Sequence, residues 1–133
     1  MADQAIRLNP NYAMWSTRPF AYAYFMAGRF EEALHMIDRL APENYGRWMW
    51  AYRPATLAAL GRTEEAKGAV TKALKWFPDL SVEAFAGGPG YNDNERRRLV
   101  ETMTLAGFPL CAKPEDLAKI EIVVRLPECQ AQH

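Results

Sequence analysis

The sequence predicts an all-α protein, an α-solenoid of antiparallel helix pairs with a C-terminal capping helix and an irregular tail. Two observations predict this fold. A block of residues repeats at a spacing of 33 positions. Within each repeat, apolar residues recur at helical spacing between glycine and proline stops. A helix, a short turn and a second helix, repeated along the chain, form the pattern of an α-solenoid.

The repeat becomes visible when residues 11–33 are laid over residues 44–66. Eight of the 23 aligned positions are identical, among them a tryptophan and a glycine. A fainter repetition at about twice this period matches Ala5 and Pro10 with Ala73 and Pro78. The chain then divides into the end of an upstream repeat, two repeats, a degenerate half-repeat with the capping helix, and a tail, at residues 1–10, 11–43, 44–78, 79–110 and 111–133.

Each of the two repeats is expected to contain a pair of helices. Gly28 and Gly61 end the first helix of each pair, because glycine tolerates the left-handed conformation found at helix C-termini. Pro78 ends the second pair. Pro19 and Pro54 lie inside the first helices, and we expect each to kink its helix or delay its start. The four helices are expected at residues 15–27, 31–40, 48–60 and 64–77.

The C-terminal third is expected to cap the repeats. Residues 81–86 predict a short helix, and a glycine-rich loop follows. Asn92 with Glu95 three positions later is typical of a capping box, which predicts a last helix over residues 93–106. Its apolar stripe is expected to cover the terminal face of the solenoid. Beyond it, only residues 114–120 show a weak helical pattern.

Two cysteines, Cys111 and Cys129, flank the tail. A disulfide between them would fasten the tail to the body of the protein. We favour two reduced thiols, since the chain is expected to be cytoplasmic, where thiols stay reduced. A periplasmic location, with a membrane segment upstream in a longer protein, would reverse that preference.

Composition excludes several classes of protein. The chain has 133 residues, half of them hydrophobic, which suits one globular domain. Sixteen Lys and Arg balance sixteen Asp and Glu, so the surplus of basic residues that phosphate recognition needs is missing and we expect no nucleic-acid partner. The sequence has no apolar run of about 20 residues, so we expect no membrane insertion. The N-terminal residues do not resemble a signal peptide.

The sequence also lacks the residues of common catalytic and metal sites. It has two His and two Cys, without the paired spacings of a zinc site. Neither of its serines lies in a GxSxG turn. The glycine-rich stretch at residues 87–90 lacks the Lys-Ser/Thr of a phosphate-binding loop. We therefore expect no catalytic residue, no metal and no cofactor.

The repeats resemble the tetratricopeptide repeat, whose 34-residue unit has small residues where its two helices meet. The resemblance covers residues 1 to about 80 and implies that Ala33 and Ala66 let the second helix of each pair close on the first, since a larger side chain would overpack the contact. Glycine takes the turn and proline the end of the unit. The positions that this resemblance assigns to repeat packing are Ala21, Tyr24, Gly28, Ala33, Leu57, Gly61, Ala66 and Pro78.

The C-terminal part resembles a second pattern. Residues 81–85, a Pro-aromatic turn, residues 94–97 and residues 105–109 are similar to the C-terminus of bacterial class III adenylate or guanylate cyclase-type proteins, in which a tetratricopeptide array follows a catalytic or DNA-binding domain. This resemblance implies that the chain is the C-terminal region of a larger signalling protein. The cyclase's own metal-binding and base-recognition residues do not carry over to this segment.

The tetratricopeptide resemblance also implies an interaction groove along the first helix of each pair. Its aromatic and apolar lining would suit an apolar or aromatic peptide segment, because Trp, Tyr and Arg are effective anchors. The carboxylate clamp of chaperone-binding members is not present, since Ala51 and Ala55 stand at its second pair of positions. The residues expected to line the groove are Trp15, Arg18, Tyr22, Phe25, Met26, Trp48, Tyr52, Ala55 and Ala59.

Three functions follow as hypotheses. The first is a protein–protein interaction module that binds a protein or peptide partner, or the parent protein's own domains. The second is a structural role, as a homodimerisation module or stand-alone adaptor. The third, an enzyme built on Glu31, Glu32 and His35, is the least favoured, because glutamates at the start of a repeat helix ordinarily face solvent.

Overall fold

A computed structural model describes residues 17–130 of the chain, and this part is all-helical, with no strand. The all-α prediction is confirmed. None of the described helices is long and apolar enough to span a membrane. The helices are α1 (Thr17–Met26), α2 (Phe30–Asp38), α3 (Gly46–Ala59), α4 (Thr63–Trp76), α5 (Val82–Ala86), α6 (Asp93–Ala106), α7 (Pro114–Leu117) and α8 (Pro127–Gln130), with a 3₁₀ turn at Pro42–Asn44.

The 33-residue repeat reappears in the turns that join α1 to α2 and α3 to α4. Gly28 and Gly61 both have φ of +79°, in the region where L side chains are strained. The amide after each glycine, that of Arg29 or Arg62, donates to the carbonyl five positions earlier, at 2.8 and 2.9 Å. These bonds form a Schellman motif at both helix ends. Sequence identity at this spacing therefore corresponds to identical backbone geometry.

The start of the second helix repeats as well. Arg29 Nε donates to Glu32 at 2.7 Å, and Arg62 Nε donates to Glu65 at 2.8 Å. Of the residues assigned to repeat packing, those inside the helices are buried, whereas Pro78 is exposed just past the end of α4. The buried ones are Ala21, Tyr24, Ala33, Leu57 and Ala66.

The expectation that Pro54 would delay the start of its helix is wrong, because the helix begins at Gly46, two residues before its expected start. Helix α3 runs unbroken through Pro54 from Gly46 to Ala59. A proline inside a helix removes one hydrogen bond and crowds the preceding turn. Here the proline ring is itself buried, and its neighbours Ala51 and Ala55 are fully buried small residues. Burial of this face offsets the lost hydrogen bond.

Helix α6 begins at the predicted capping box. The Asn92 side chain accepts a hydrogen bond from the Glu95 amide at 2.8 Å, and the Glu95 carboxylate accepts one from the Asn92 amide at 2.9 Å. The helix packs against α3, α4 and α5. It also reaches the first helix pair, where the Arg98 guanidinium lies 5.6 Å from the centre of the Phe30 ring. Helix α6 thus contacts both repeats.

Residues 111–130, which we call the C-terminal strap, are fastened to α5. Cys111 and Cys129 form a disulfide, so the preference for reduced thiols is not what the structure shows. The Glu83 carboxylate, fully buried, accepts hydrogen bonds from the Ala112 amide at 3.0 Å and from Arg125 Nε at 2.6 Å. One carboxylate therefore holds both ends of the strap.

Candidate functional site

A cleft of about 400 Å³, which we call the aromatic cleft, opens between α1, α3 and the loop that precedes α6. Helix α1 supplies one wall, α3 supplies the floor and the loop supplies the other wall. The residues that line it are Arg18, Pro19, Tyr22, Trp48, Met49, Tyr52, Pro89, Gly90 and Tyr91.

The rings in and beneath the cleft pack edge to face. The Trp48 ring lies 5.3 Å from that of Phe85 and 6.5 Å from that of Tyr91, centre to centre. The Tyr52 ring lies 5.5 Å from the Phe85 ring at an interplanar angle of 87°. Such T-shaped contacts are favourable because the positive edge of one ring meets the negative face of another. Trp48 nevertheless remains 53% exposed.

Hydrogen bonds fix the loop wall in place. The Tyr52 and Tyr91 hydroxyls are hydrogen-bonded at 2.9 Å. The Tyr22 hydroxyl donates to the Glu95 carboxylate across the cleft. Behind the loop, the Arg96 guanidinium donates to the carbonyl oxygens of Ala86 at 3.2 Å and Tyr91 at 3.0 Å. These hydrogen bonds hold the loop wall against α1 and α3.

The electrostatics of the cleft keep its phenols neutral. Burial and the hydrogen bond to Glu95 raise the pKa of Tyr22 to about 12. Burial also raises the pKa of Tyr52 and of Tyr91. The hydrogen bond from Tyr22 lowers the pKa of the Glu95 carboxyl. At neutral pH this arrangement presents uncharged ring surfaces, which suit binding of apolar groups.

The structure brings only part of the predicted groove together. Arg18, Tyr22 and Trp48 line the cleft, and Tyr52 lines it with a ring that is almost fully buried. The Arg18 guanidinium is exposed and donates to the Asn44 carbonyl.

The remaining groove predictions need correction or lie elsewhere. Phe25 and Ala55 are fully buried core residues. The Phe25 ring packs against those of Phe30 and Tyr52, at 5.6 and 5.3 Å between ring centres, so the face that was expected to be open is closed by packing between the helices. Met26 and Ala59 are half-buried and do not line the cleft. Trp15 lies outside the described residues.

Sequence reasoning missed the loop wall. Pro89, Gly90 and Tyr91 lie about 40 positions beyond Trp48, outside the two repeats. In the sequence, these residues form a glycine-rich stretch followed by an aromatic residue. That stretch was compared with a phosphate-binding loop and not with the wall of a cleft. Neither local periodicity nor repeat alignment links such a loop to a particular helix.

The residues of the enzyme hypothesis do not form a site with the cleft. Glu31 and His35 lie on α2 and line a separate depression of about 340 Å³ with Asp38 and Arg62. Glu32 is bound by Arg29. Within residues 17–130, no cluster of three His, Cys, Asp or Glu side chains is placed to hold a metal ion.

Comparisons of the chain with protein-family models, with curated proteins and with solved structures found no match.

Proposed function

We propose that the chain is a non-catalytic protein–protein interaction module whose aromatic cleft binds an apolar or aromatic side chain of a peptide segment. The observation that carries this proposal is the exposure of Trp48. A tryptophan that is 53% exposed, yet held by rings on one side, is costly to leave in water and is available to a partner.

The polar groups of the cleft support the same ligand class. The hydroxyls of Tyr22, Tyr52 and Tyr91 already have hydrogen-bond partners within the chain. A ligand that buries these rings therefore needs no polar group to match them. Arg18 is the one charged residue among those lining the cleft, which favours a peptide with an acidic residue beside its apolar anchor.

The proposal also includes the kind of protein and the cellular compartment to which the module belongs. The repeated Schellman turns and buried alanines support a tetratricopeptide-type solenoid, and the cyclase resemblance supports a position at the C-terminus of a larger signalling protein. The disulfide between Cys111 and Cys129 supports the periplasmic alternative over a cytoplasmic one, since disulfides persist in oxidising compartments.

The test is selection of a random peptide library displayed on phage against the wild-type chain, followed by calorimetry with a selected peptide. We expect enrichment of peptides with an aromatic or large aliphatic residue. Trp48→Ala should weaken binding of the selected peptide about 30-fold, equivalent to about 2 kcal/mol, because Trp48 is the central anchor. The melting temperature should hardly change, since half of the side chain is already in water.

The matched control is Trp76→Ala, which removes another exposed tryptophan from α4. It should bind the selected peptide like the wild type. A large fall in the melting temperature of Trp48→Ala would show that this tryptophan is structural. Equal enrichment on the wild type and on Trp48→Ala would contradict the proposal.

A further inference from the structure

A second cleft, of about 510 Å³, lies between the 3₁₀ turn, α3 and α4. Trp76 stands at this cleft and is 64% exposed, more than any other large hydrophobic side chain in the described part of the chain. The cleft is lined in part by Pro42, Glu43, Trp50, Lys72 and Trp76. An exposed tryptophan is a suitable anchor side chain for a protein interface. The apolar cleft beside it is a surface that would bind such a side chain from another molecule.

This second cleft faces away from the aromatic cleft. Trp48 and Trp50 are two positions apart on α3, so their side chains leave the helix about 200° apart. Trp50 packs edge to face on Tyr45, at 5.1 Å between ring centres, whereas Trp48 packs on Phe85. A ligand on one surface therefore leaves the other accessible.

The charges around the second cleft are of opposite sign. Glu43 and Lys72 both line it and both are exposed. Neither forms an ion pair with another residue of the 17–130 range, whereas other exposed residues, such as Arg62 and Glu65, do. The surface thus presents the Glu43 carboxylate and the Lys72 ammonium group beside an apolar patch, and the Lys75 ammonium group lies 5.9 Å from the centre of the Trp76 ring.

We propose that the second cleft is an interface with a second copy of this chain, related by a two-fold axis. A two-fold dimer buries the same surface patch of each copy. Every contact between residue i of one copy and residue j of the other therefore occurs a second time with the two copies exchanged. Glu43 of each copy then pairs with Lys72 of the other. Trp76 of each copy enters the cleft of the other, and both kinds of contact occur twice.

Charge reversal tests this geometry directly. Glu43→Lys and Lys72→Glu are made as single variants, and oligomeric state is measured by analytical ultracentrifugation of the full chain. Each single variant places like charges opposite one another twice, so its dimer dissociation constant should rise at least tenfold. An equimolar mixture of the two variants should form a heterodimer, because both cross-pairs are then of opposite sign.

One control and one further test accompany these variants. Lys119→Glu makes the same charge change on an exposed strap residue away from the cleft and should dimerise like the wild type. Trp76→Ala should also lose the dimer, and its peptide binding in the aromatic cleft should persist. Circular dichroism of every variant checks that the helices remain.

The results that overturn the proposal are equally definite. A wild-type chain that stays monomeric at about 1 mM has no such interface. A dimer that survives the single reversals, or a mixture that forms no heterodimer, shows that Glu43 and Lys72 do not face one another. None of these results bears on the aromatic cleft, which lies on the other side of α3.

Discussion

At the scale of single residues, Glu83 shows how one side chain determines a contact far away in sequence. Its carboxylate is fully buried and accepts hydrogen bonds from the Ala112 amide, the Leu126 amide and Arg125. Burial by itself raises the pKa of a carboxyl, but the hydrogen bonds and the positive charge of Arg125 together hold the pKa of Glu83 below its usual value. Ionised Glu83 therefore stabilises the folded state.

This direction of the pKa shift predicts a dependence of stability on pH. Because the pKa is lower in the folded than in the unfolded chain, the stabilisation is present above about pH 4.3, the unfolded value, and is lost as pH falls through the folded value. Glu83→Gln should lower the free energy of unfolding by about 3 kcal/mol at pH 7, since it leaves Arg125 unpaired. Urea unfolding at pH 7, 5, 4 and 3 measures both effects.

The control for Glu83 is Glu115→Gln, an exposed strap residue. It should unfold like the wild type at every pH. The difference in stability between the wild type and Glu83→Gln should shrink as the pH falls below about 4. A difference that stays constant with pH would mean that the charge of Glu83 has no part in holding the strap.

Helical periodicity accounts for burial where neighbours along the helix decide it. Ala33 and Ala66 are fully buried, as their place at the meeting of two helices requires. Phe25 and Ala55 were expected in an open groove and are instead fully buried. The Phe25 ring packs against Tyr52, and Tyr52 in turn packs against Phe85 from beyond the repeats, a contact on which helical periodicity carries no information.

At the scale of elements, the turn glycines determine where each pair folds back. Gly61 and Gly28 share the same positive φ, but an added Cβ at Gly28 would lie 3.1 Å from Arg98, whereas one at Gly61 would meet nothing within 4 Å. A substitution at Gly61 therefore measures only the free-energy cost of placing an L residue at a positive φ. Gly68, inside α4, also has open space around an added Cβ but has no positive φ.

We expect Gly61→Ala to lower the free energy of unfolding by about 1 kcal/mol, because an L residue is strained at positive φ. Gly68→Ala should raise it by about 1 kcal/mol, since alanine is the better helix former. Both changes add one methyl group and restrict the unfolded chain alike. Thermal unfolding of the two variants measures the difference, and a similar effect in both would contradict the account of the turn.

Element boundaries were the most predictable feature of the fold. The repeat helices lie within about two residues of the expected bounds wherever the structure describes them, since glycine, proline and capping residues mark their ends. Pro54 is the exception, because a rule based on local sequence alone treats a proline as a helix breaker. The burial that keeps α3 continuous comes from packing between helices, which a local rule does not include.

At the scale of the whole molecule, the second half of the chain closes over the first. The Tyr22 hydroxyl is hydrogen-bonded to Glu95, 73 positions away, and the Tyr52 hydroxyl is hydrogen-bonded to that of Tyr91, 39 positions away. The aromatic cleft exists only because the loop before α6 meets α1 and α3. Contacts of such long range are set by tertiary packing, so the sequence pattern predicted the helices of the site but not its loop wall.

The proposed function requires a peptide to bind in the aromatic cleft at Trp48. Titration of the ¹⁵N-labelled chain with the selected peptide, followed by the indole and backbone amide signals in NMR spectra, tests it most directly. We predict that the Trp48 indole signal and the Gly90 and Tyr91 amides shift while the Trp76 indole stays in place. Shifts centred on Trp76, or no shift at the cleft, would contradict the account.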